Sequence, residues 1–309
     1  MAARIDFTYF RERAVADDDL ETLDLIEADR DVLLSGGRLP EPGEYLSLTL
    51  ALAPAGRELR DSDGPGPGPR SFPGPRTRPG PQSREAEPLR LVLRRDLAAA
   101  SLDTLLEIFR DEAHARLPGF RGEDGGTVFD LGANEGYYTL RMKRLNPAVR
   151  IVAVEPVWEN VDLLQRNMAA NGLTEVEAVH AAVSATVGEM TIETYPHVGT
   201  VASNDIGAFP RPWIRDERIR RRRVPAVTLS GLLDRAAVDH AQLLKVDIEG
   251  SEVDVLSGDP AGLQRFERIV VECHGEEARM RCIDIVTSEG FEAVHIEQKR
   301  SGDVYFEAP

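Results

Sequence analysis

"TVFDLGANEGYYTL" spans residues 127–140. A short β-type run ends in an acid, Asp130. Gly132 and Gly136 follow, four residues apart with Asn134 midway, and a helical pattern begins directly after them. A strand–turn–helix of this kind offers backbone N–H groups at the positive end of a helix dipole. Glycine permits positive φ and close backbone approach, and asparagine tolerates left-handed geometry better than most residues. The pattern is a candidate ligand cradle, although a plain tight turn looks the same.

Strand and helix patterns alternate on both sides of the turn. "VRIVAVEP", "VEAVHAAVS", "AQLLKVDIEG" and "RFERIVVECHG" read as strands, and "VWENVDLLQRNMAANG", "LSGLLDRAAV" and "SEVDVLSG" as helices. Such alternation predicts a doubly wound, mostly parallel α/β sheet. A helix over 276–288 and two closing strands, "FEAVHIEQ" and "GDVYFEAP", predict a hairpin-like finish. Upstream, "SLDTLLEIFRDEAHARL" reads as one amphipathic helix with Ser101 as N-cap.

The first 88 residues form an accessory region, and the main domain is expected over 89–309. Leu20, Leu23 and Ile26 suggest a helix after the acidic Asp17–Asp19. Alternating leucines in "YLSLTLALA" and "PLRLVLRR" predict two strands, each with one apolar face. Between them, residues 61–88 hold eight of the chain's 20 prolines and read as a flexible Pro/Gly-rich segment. That segment is either an interdomain linker or an overgrown loop between antiparallel strands. The second arrangement gives each apolar face a partner.

With 309 residues, the chain can bury a sizeable core. Its net charge of −16 disfavours nucleic acid and anionic membranes as partners. No membrane span or secretory leader is legible, and the two cysteines, Cys273 and Cys282, form no metal-type spacing. A cytoplasmic protein acting on a small-molecule acceptor is expected, and a homo-oligomer is compatible with the sequence.

Glu155 ends the second strand of the alternating half, where a carboxylate can accept from both hydroxyls of a ribose. That suits NAD and S-adenosylmethionine (SAM) equally. The turn is not G-x-G-x-x-G, because Asn134 replaces the second glycine. Asp130 sits where a pyrophosphate would be repelled and a cationic amino group or sulfonium welcomed.

"FDLGANEGYYTL", "VAVEPVWENVDLLQRNMAANG", "VPAVTLSGLL", "LLKVDIEGSEVDVLSG" and "IVVECHG" together resemble the FkbM-type family of SAM-dependent methyltransferases, in order and over about two thirds of the chain. The resemblance implies a seven-stranded class I fold whose last strand inserts antiparallel. It also implies that Asp130, Gly132, Asn134 and Gly136 line the methionine part of SAM and that Glu155 holds its ribose. By their position at the end of the third strand Ala182 and Val183 would lie near the adenine, and Asp247, at the end of the fourth, would face the crevice at the switch point.

Methyl transfer asks for alignment and removal of one proton. Candidates lie in "KVDIEGSE" and "VVECHG": Asp247 and Glu249 as paired carboxylates, Lys245 beside them, Glu252 opening a helix, Glu272, and His274 as first choice of general base because histidine titrates near neutrality. Asp247, Glu249, Glu272 and His274 together have metal-ligating chemistry, but no spacing requires an ion. Tyr195, His197, Ser203, Asn204 and Trp213 fall in an insertion suited to choosing the acceptor. The basic run Arg218–Arg223 is read either as an anion site or as a charge-protected edge strand.

The leading expectation is O-methylation of a hydroxyl on a small molecule, glycoside or secondary metabolite, with oxygen as acceptor implied by the resemblance. Methylation of a nitrogen or a protein side chain, an inactive SAM-binding module, and an NAD-dependent oxidoreductase are the alternatives.

Overall fold

The computed structural model describes residues 5–34, 43–52, 87–122, 125–194, 219–299 and 301–309. Helix α1 (Phe7–Arg11) and α2 (Asp17–Leu34) precede β1 (Tyr45–Leu50), β2 (Leu89–Arg94) and α3 (Ala98–Phe109). Three aspartates open α2, which suits the positive end of its dipole. Asp19 also turns back to accept the N–H groups of Ala16 and Thr49, tying the helix start to β1.

Strands β1 and β2 pair antiparallel from Tyr45 opposite Arg94 to Leu50 opposite Leu89. The strand-pair arrangement is therefore the one adopted, and position 88 falls between two paired strands. The Pro/Gly-rich segment lies almost wholly outside the described residues. Phe7, Phe10, Leu23, Ile26, Leu48, Leu50, Leu89, Leu91 and Leu93 join one buried cluster with Val128, Leu140 and Ile151 of the alternating half. Each fully buried side chain of this size contributes roughly 1.5–3 kcal/mol, so these leucines and phenylalanines fasten the accessory region to the main sheet.

From residue 127 the elements are β3 (Thr127–Leu131), α4 (Tyr137–Leu145), β4 (Arg150–Glu155), α5 (Trp158–Ala170), β5 (Val176–His180), β6 (Ala182–Val183), β7 (Gly188–Thr194), β8 (Arg220–Val227), α6 (Leu229–Arg235), β9 (Ala241–Val246), α7 (Glu252–Gly258), α8 (Pro260–Leu263), β10 (Phe266–His274), α9 (Glu276–Ser288), β11 (Glu292–Ile296) and β12 (Ser301–Glu307). The main sheet has the order β11-β12-β10-β9-β3-β4-β5. Strands β3, β4, β5, β9 and β10 are parallel. Strand β12 runs antiparallel between β10 and β11, as the resemblance implied. Strand order reverses between β3 and β9, which places a ligand crevice beyond their carboxyl ends.

Adjacent strand residues serve opposite faces. Val128, Leu243, Val270 and Tyr305 face the cluster shared with α3, α4 and α5. Phe129, Leu244, Val271 and Phe306 face a second cluster under α6, α7 and α9. Both faces being covered explains why the strands read as apolar runs rather than as clean alternations.

The free edge of β2 is satisfied by side chains from α5. Asn167 Oδ1 accepts the Val92 N–H at 2.7 Å, and Asn171 brackets Arg90 by accepting its N–H at 3.0 Å and donating to its carbonyl at 2.6 Å. Two asparagines four apart stand on one helix face, so they imitate a partner strand. Asn167 also donates to the Glu135 carbonyl, linking β2 to the glycine turn. Asn167→Ala leaves a part-buried N–H and a buried carbonyl without this partner, at up to roughly 1–3 kcal/mol each. A loss of about 2 kcal/mol in urea unfolding is expected, and an unchanged midpoint contradicts the bracing role.

Two local expectations are corrected. Helix α3 stops at Phe109, and Ser101 lies buried inside it rather than capping it. Glu112 and His114 adopt left-handed backbones, with φ of 57° and 61°, so the chain leaves the helical path where His114 is captured by β12. The basic run is locally an edge, as one of its two readings had it: β8 lies between β6 and β7, but β6 pairs only with Ala226 and Val227, and among the described residues Arg220–Arg223 pair on one side, with β7. Arg221, Arg222 and Arg223 pair with Glu193, Glu159 and Glu189. The insertion residues Tyr195, His197, Ser203, Asn204 and Trp213 lie outside the described residues. Cys273 and Cys282 are buried free thiols.

Candidate active site

Gly132 begins the turn with φ of +74°. A Cβ there would stand 1.8 Å from the Asp247 carbonyl oxygen, so only glycine lets β3 and β9 end this close together. Gly136, with φ of +88°, caps α4 and faces Leu164 and Met168 of α5, so its bareness serves helix packing. Between them Asn134 is left-handed, at φ 49°, and its buried Oδ1 has no hydrogen-bond partner among the described residues.

These ends border a cavity that is partly open to solvent. Gly132, Asn134, Glu155, Ala182, Val183, Asp247 and Glu249 contribute to its wall. Asn160, Met190, Ile192, Ile248 and Ser251 also line it and were not picked out from the sequence. Asp130, Gly136 and His274 are not among the lining residues.

Asp130 is instead fully buried beneath the turn. It accepts from the Thr139 hydroxyl at 2.7 Å and pairs with Lys245 at 3.2 Å. Lys245 Nζ also donates to the carbonyls of Leu131 and Gly132 and lies 3.5 Å from Asp247. Burial opposes the lysine's charge, but Asp130 and Asp247 outweigh it and hold the ammonium protonated well above its ordinary range. One cation thus fastens the turn from below.

Glu155 accepts from the N–H groups of Asn134 and Val157, at 3.0 and 2.9 Å, and from the Asn160 amide. Burial still dominates and raises its carboxyl to about 7. The orphaned Asn134 oxygen, the bare Gly132 and this acid on one wall suit a nucleoside with a cationic amino-acid tail. The acid supplies an acceptor for sugar hydroxyls, and the amide oxygen an acceptor for an ammonium.

Beyond β9 and β10 lies a cluster of acids and imidazoles. Strand β9 ends at Val246, and Glu249 is left-handed at φ 54°, so Asp247 and Glu249 do not share a strand facing. Burial works against ionisation of Asp247, yet Lys245, His114 and His274 outweigh it and lower its pKa. Burial, reinforced by Asp247, raises Glu272 to about 8. His274 Nδ1 lies 3.1 Å from Glu252, and its Nε2 lies 3.5 Å from Glu249 and 3.9 Å from Glu272. Against the cost of burial, these carboxylates raise it to about 10. The acids around His274 thus shift it upward from the near-neutral range expected of a free histidine.

His114 was not among the residues singled out from the sequence. Asp303 of β12 receives its backbone N–H and its Nδ1, both at 2.7 Å, and the Tyr305 hydroxyl at 3.0 Å. Burial disfavours the ions, but their mutual attraction raises His114 to about 9 and lowers Asp303 to about 2. His114 Nε2 faces Asp247 at 3.7 Å and Glu272 at 3.8 Å. An acid amid the apolar run of "GDVYF" was the one available signal, since it had to be buried and needed a partner.

Residues 130–299 match the methyltransferase FkbM domain. The chain is 30% identical over 191 residues to methyltransferase sdnD of Sordaria araneosa, covering 54% of this chain and 72% of that protein. It is 26% identical over 215 residues to the 31-O-demethyl-FK506 methyltransferase FkbM of Streptomyces tacrolimicus, covering 61% and 80%. Among solved structures, the Aeropyrum pernix fibrillarin with natively bound S-adenosyl-L-methionine aligns with a TM-score of 0.37 and 13% identity, over 59% of this chain and 66% of that one. No helix among the described residues is long and apolar enough to cross a membrane.

Proposed function

Because this chain belongs to the FkbM methyltransferase family, we propose that it uses SAM to methylate a hydroxyl oxygen of a small molecule, glycoside or secondary metabolite. The carrying observation is the wall formed by Glu155, Asn134 and Gly132 beside the end of β9. The oxygen acceptor is supported by the relative named as a 31-O-demethyl-FK506 methyltransferase.

In this reading Glu155 accepts from the ribose hydroxyls. Asn134 Oδ1 and the bare backbone at Gly132 receive the amino-acid tail, and Ala182 and Val183 pack on the adenine. Asp130 acts through Lys245 by fixing the turn, and Gly136 by letting α4 seat on α5. SAM supplies a methyl group on a sulfonium, so that transfer to oxygen forms a C–O bond, leaves the C–S electron pair on sulfur and releases the hydroxyl proton. Asp247 is held ionised on the cavity wall, and a carboxylate suffices to take a proton that becomes strongly acidic as the C–O bond forms. His274, its pKa raised by the acids around it, orients Glu249, Glu252 and Glu272 rather than acting as the base.

Calorimetric titration with SAM and its demethylated product, followed by mass analysis of a hydroxylated acceptor panel, tests the reading. Binding of neither compound, or methyl transfer only to nitrogen, would overturn it. Glu155→Ala removes acceptors worth roughly 1.5–3 kcal/mol against a charged group, and about 10–100-fold weaker SAM binding is expected. The sugar hydroxyls need the ionised carboxylate, and burial sets its pKa at about 7. Wild-type affinity should therefore be flat above that pH and weaken as pH falls through it, by up to about tenfold per unit. The alanine variant should lose this slope, and a slope that persists there would assign it to another group.

A further inference from the structure

We propose that His114, Asp247 and Glu272 form a binding site for one divalent transition-metal cation beside the methyl-donor cavity. His114 Nε2 and one carboxylate oxygen from each acid lie within 4.8 Å of one another. His114 is buried, whereas the two acids are half-buried and leave the site an opening.

The spacing is that of ligands around an ion more than of hydrogen-bonded partners. Nε2 stands 3.7 Å from Asp247 Oδ2 and 3.8 Å from Glu272 Oε2, beyond the roughly 2.7–3.2 Å of an N–H···O bond. Donors held at about 2.0–2.2 Å from a common ion lie roughly 3–3.5 Å apart. The two His114 distances exceed that range by a few tenths of an ångström, and all three donors lie within 4.8 Å of one another.

The imidazole is also held as a metal ligand is held. Asp303 takes Nδ1 at 2.7 Å, which turns Nε2 toward the two acids, and Asp303 is itself fixed by the Tyr305 hydroxyl and the His114 N–H. Carboxylate–histidine pairs of this kind set the tautomer and orientation of ligating histidines.

Local charge points the same way. Among the described residues, Asp247, Glu272, Asp303, Glu249 and Glu252 surround one lysine, Lys245, and two imidazoles. Coordination at Nε2 displaces the proton that His114 otherwise holds, and the dication takes over its attraction to the two acids. One imidazole and two carboxylates suit Mn²⁺ or Zn²⁺, whereas Ca²⁺ prefers about six to eight oxygens. Asp247 also lines the methyl-donor cavity, so positions left open on the ion face the reacting region. Their occupation by the acceptor hydroxyl rests on the methyltransferase reading; the site itself does not.

Metal-stripped protein titrated with Mn²⁺, with free Mn²⁺ read by electron paramagnetic resonance, tests the site. One saturable site per chain is expected. His114→Ala and the isosteric Glu272→Gln should each weaken it at least about tenfold, and Asp303→Asn about 10–100-fold through the orientation of His114. Wild-type protein that binds neither Mn²⁺ nor Zn²⁺ saturably, or variants that bind as wild type does, would overturn the proposal. SAM affinity is measured on the same metal-stripped samples. Glu272 is not among the cavity-lining residues, so Glu272→Gln should keep that affinity, which verifies its folding. Intact SAM binding without a metal site sinks only this proposal, whereas a metal site without SAM binding sinks only the methyl-donor reading.

Discussion

Gly132→Ala is expected to cost about 3–5 kcal/mol of stability and to abolish SAM binding, combining a left-handed backbone penalty with overpacking. The added Cβ meets backbone, with the Asp247 carbonyl oxygen at 1.8 Å and its carbon at 2.9 Å. No side chain can swing aside to relieve it. Nor can the strands part cheaply, because β3 and β9 are in register at Asp130–Lys245 and Leu131–Val246, and the Asp247 N–H donates to the Leu131 carbonyl. Relief must come from moving the turn that the cofactor needs. Gly172 supplies the control: its φ is +60° and a Cβ added there would find nothing within 4 Å, so Gly172→Ala should cost only about 1 kcal/mol of backbone strain. Urea unfolding and SAM calorimetry on both variants decide the matter. Equal costs at the two positions would mean that the close approach of β3 to β9 is not what requires glycine at 132.

Features that depend on neighbours in sequence are legible from the residues alone. Strand–turn–helix alternation, Glu155 at the end of β4 and the terminal hairpin each follow from local pattern, and all are present. Features that depend on distant partners are not. His114 sits in a stretch with helical composition, and it leaves that conformation because Asp303, 189 residues away, takes both its N–H and its ring. The arginines of β8 read as edge protection, but the glutamates that pair with them, on β7 and α5, cannot be seen in their own stretch. His274 has an ordinary titration range in isolation, and only the convergence of Glu249, Glu252 and Glu272 shifts it upward. Glycine function is similarly divided: Gly132 and Gly136 look alike in sequence, yet one admits a carbonyl and the other a leucine.

Lys245→Met should destabilise the protein by about 3–5 kcal/mol, the usual cost of removing one partner from a buried ion pair. The ammonium lies 3.2 Å from Asp130, which is wholly buried, and its loss leaves that carboxylate the Thr139 hydroxyl but no cation to balance it. The carbonyls of Leu131 and Gly132 lose a donor in the same step. Methionine fills most of the space, so a cavity contributes little and the penalty is mainly electrostatic. The double variant Asp130→Asn/Lys245→Met removes the stranded charge as well and should recover a large part of the loss, because replacing both partners of a buried pair is often close to neutral. Recovery of stability need not restore function: with the two carbonyls still untied, the turn that carries Asn134 is less fixed, and SAM affinity should remain below wild type. A double variant no more stable than Lys245→Met would show that the lysine acts through the carbonyls alone, and that the Asp130 pair is not what holds the turn.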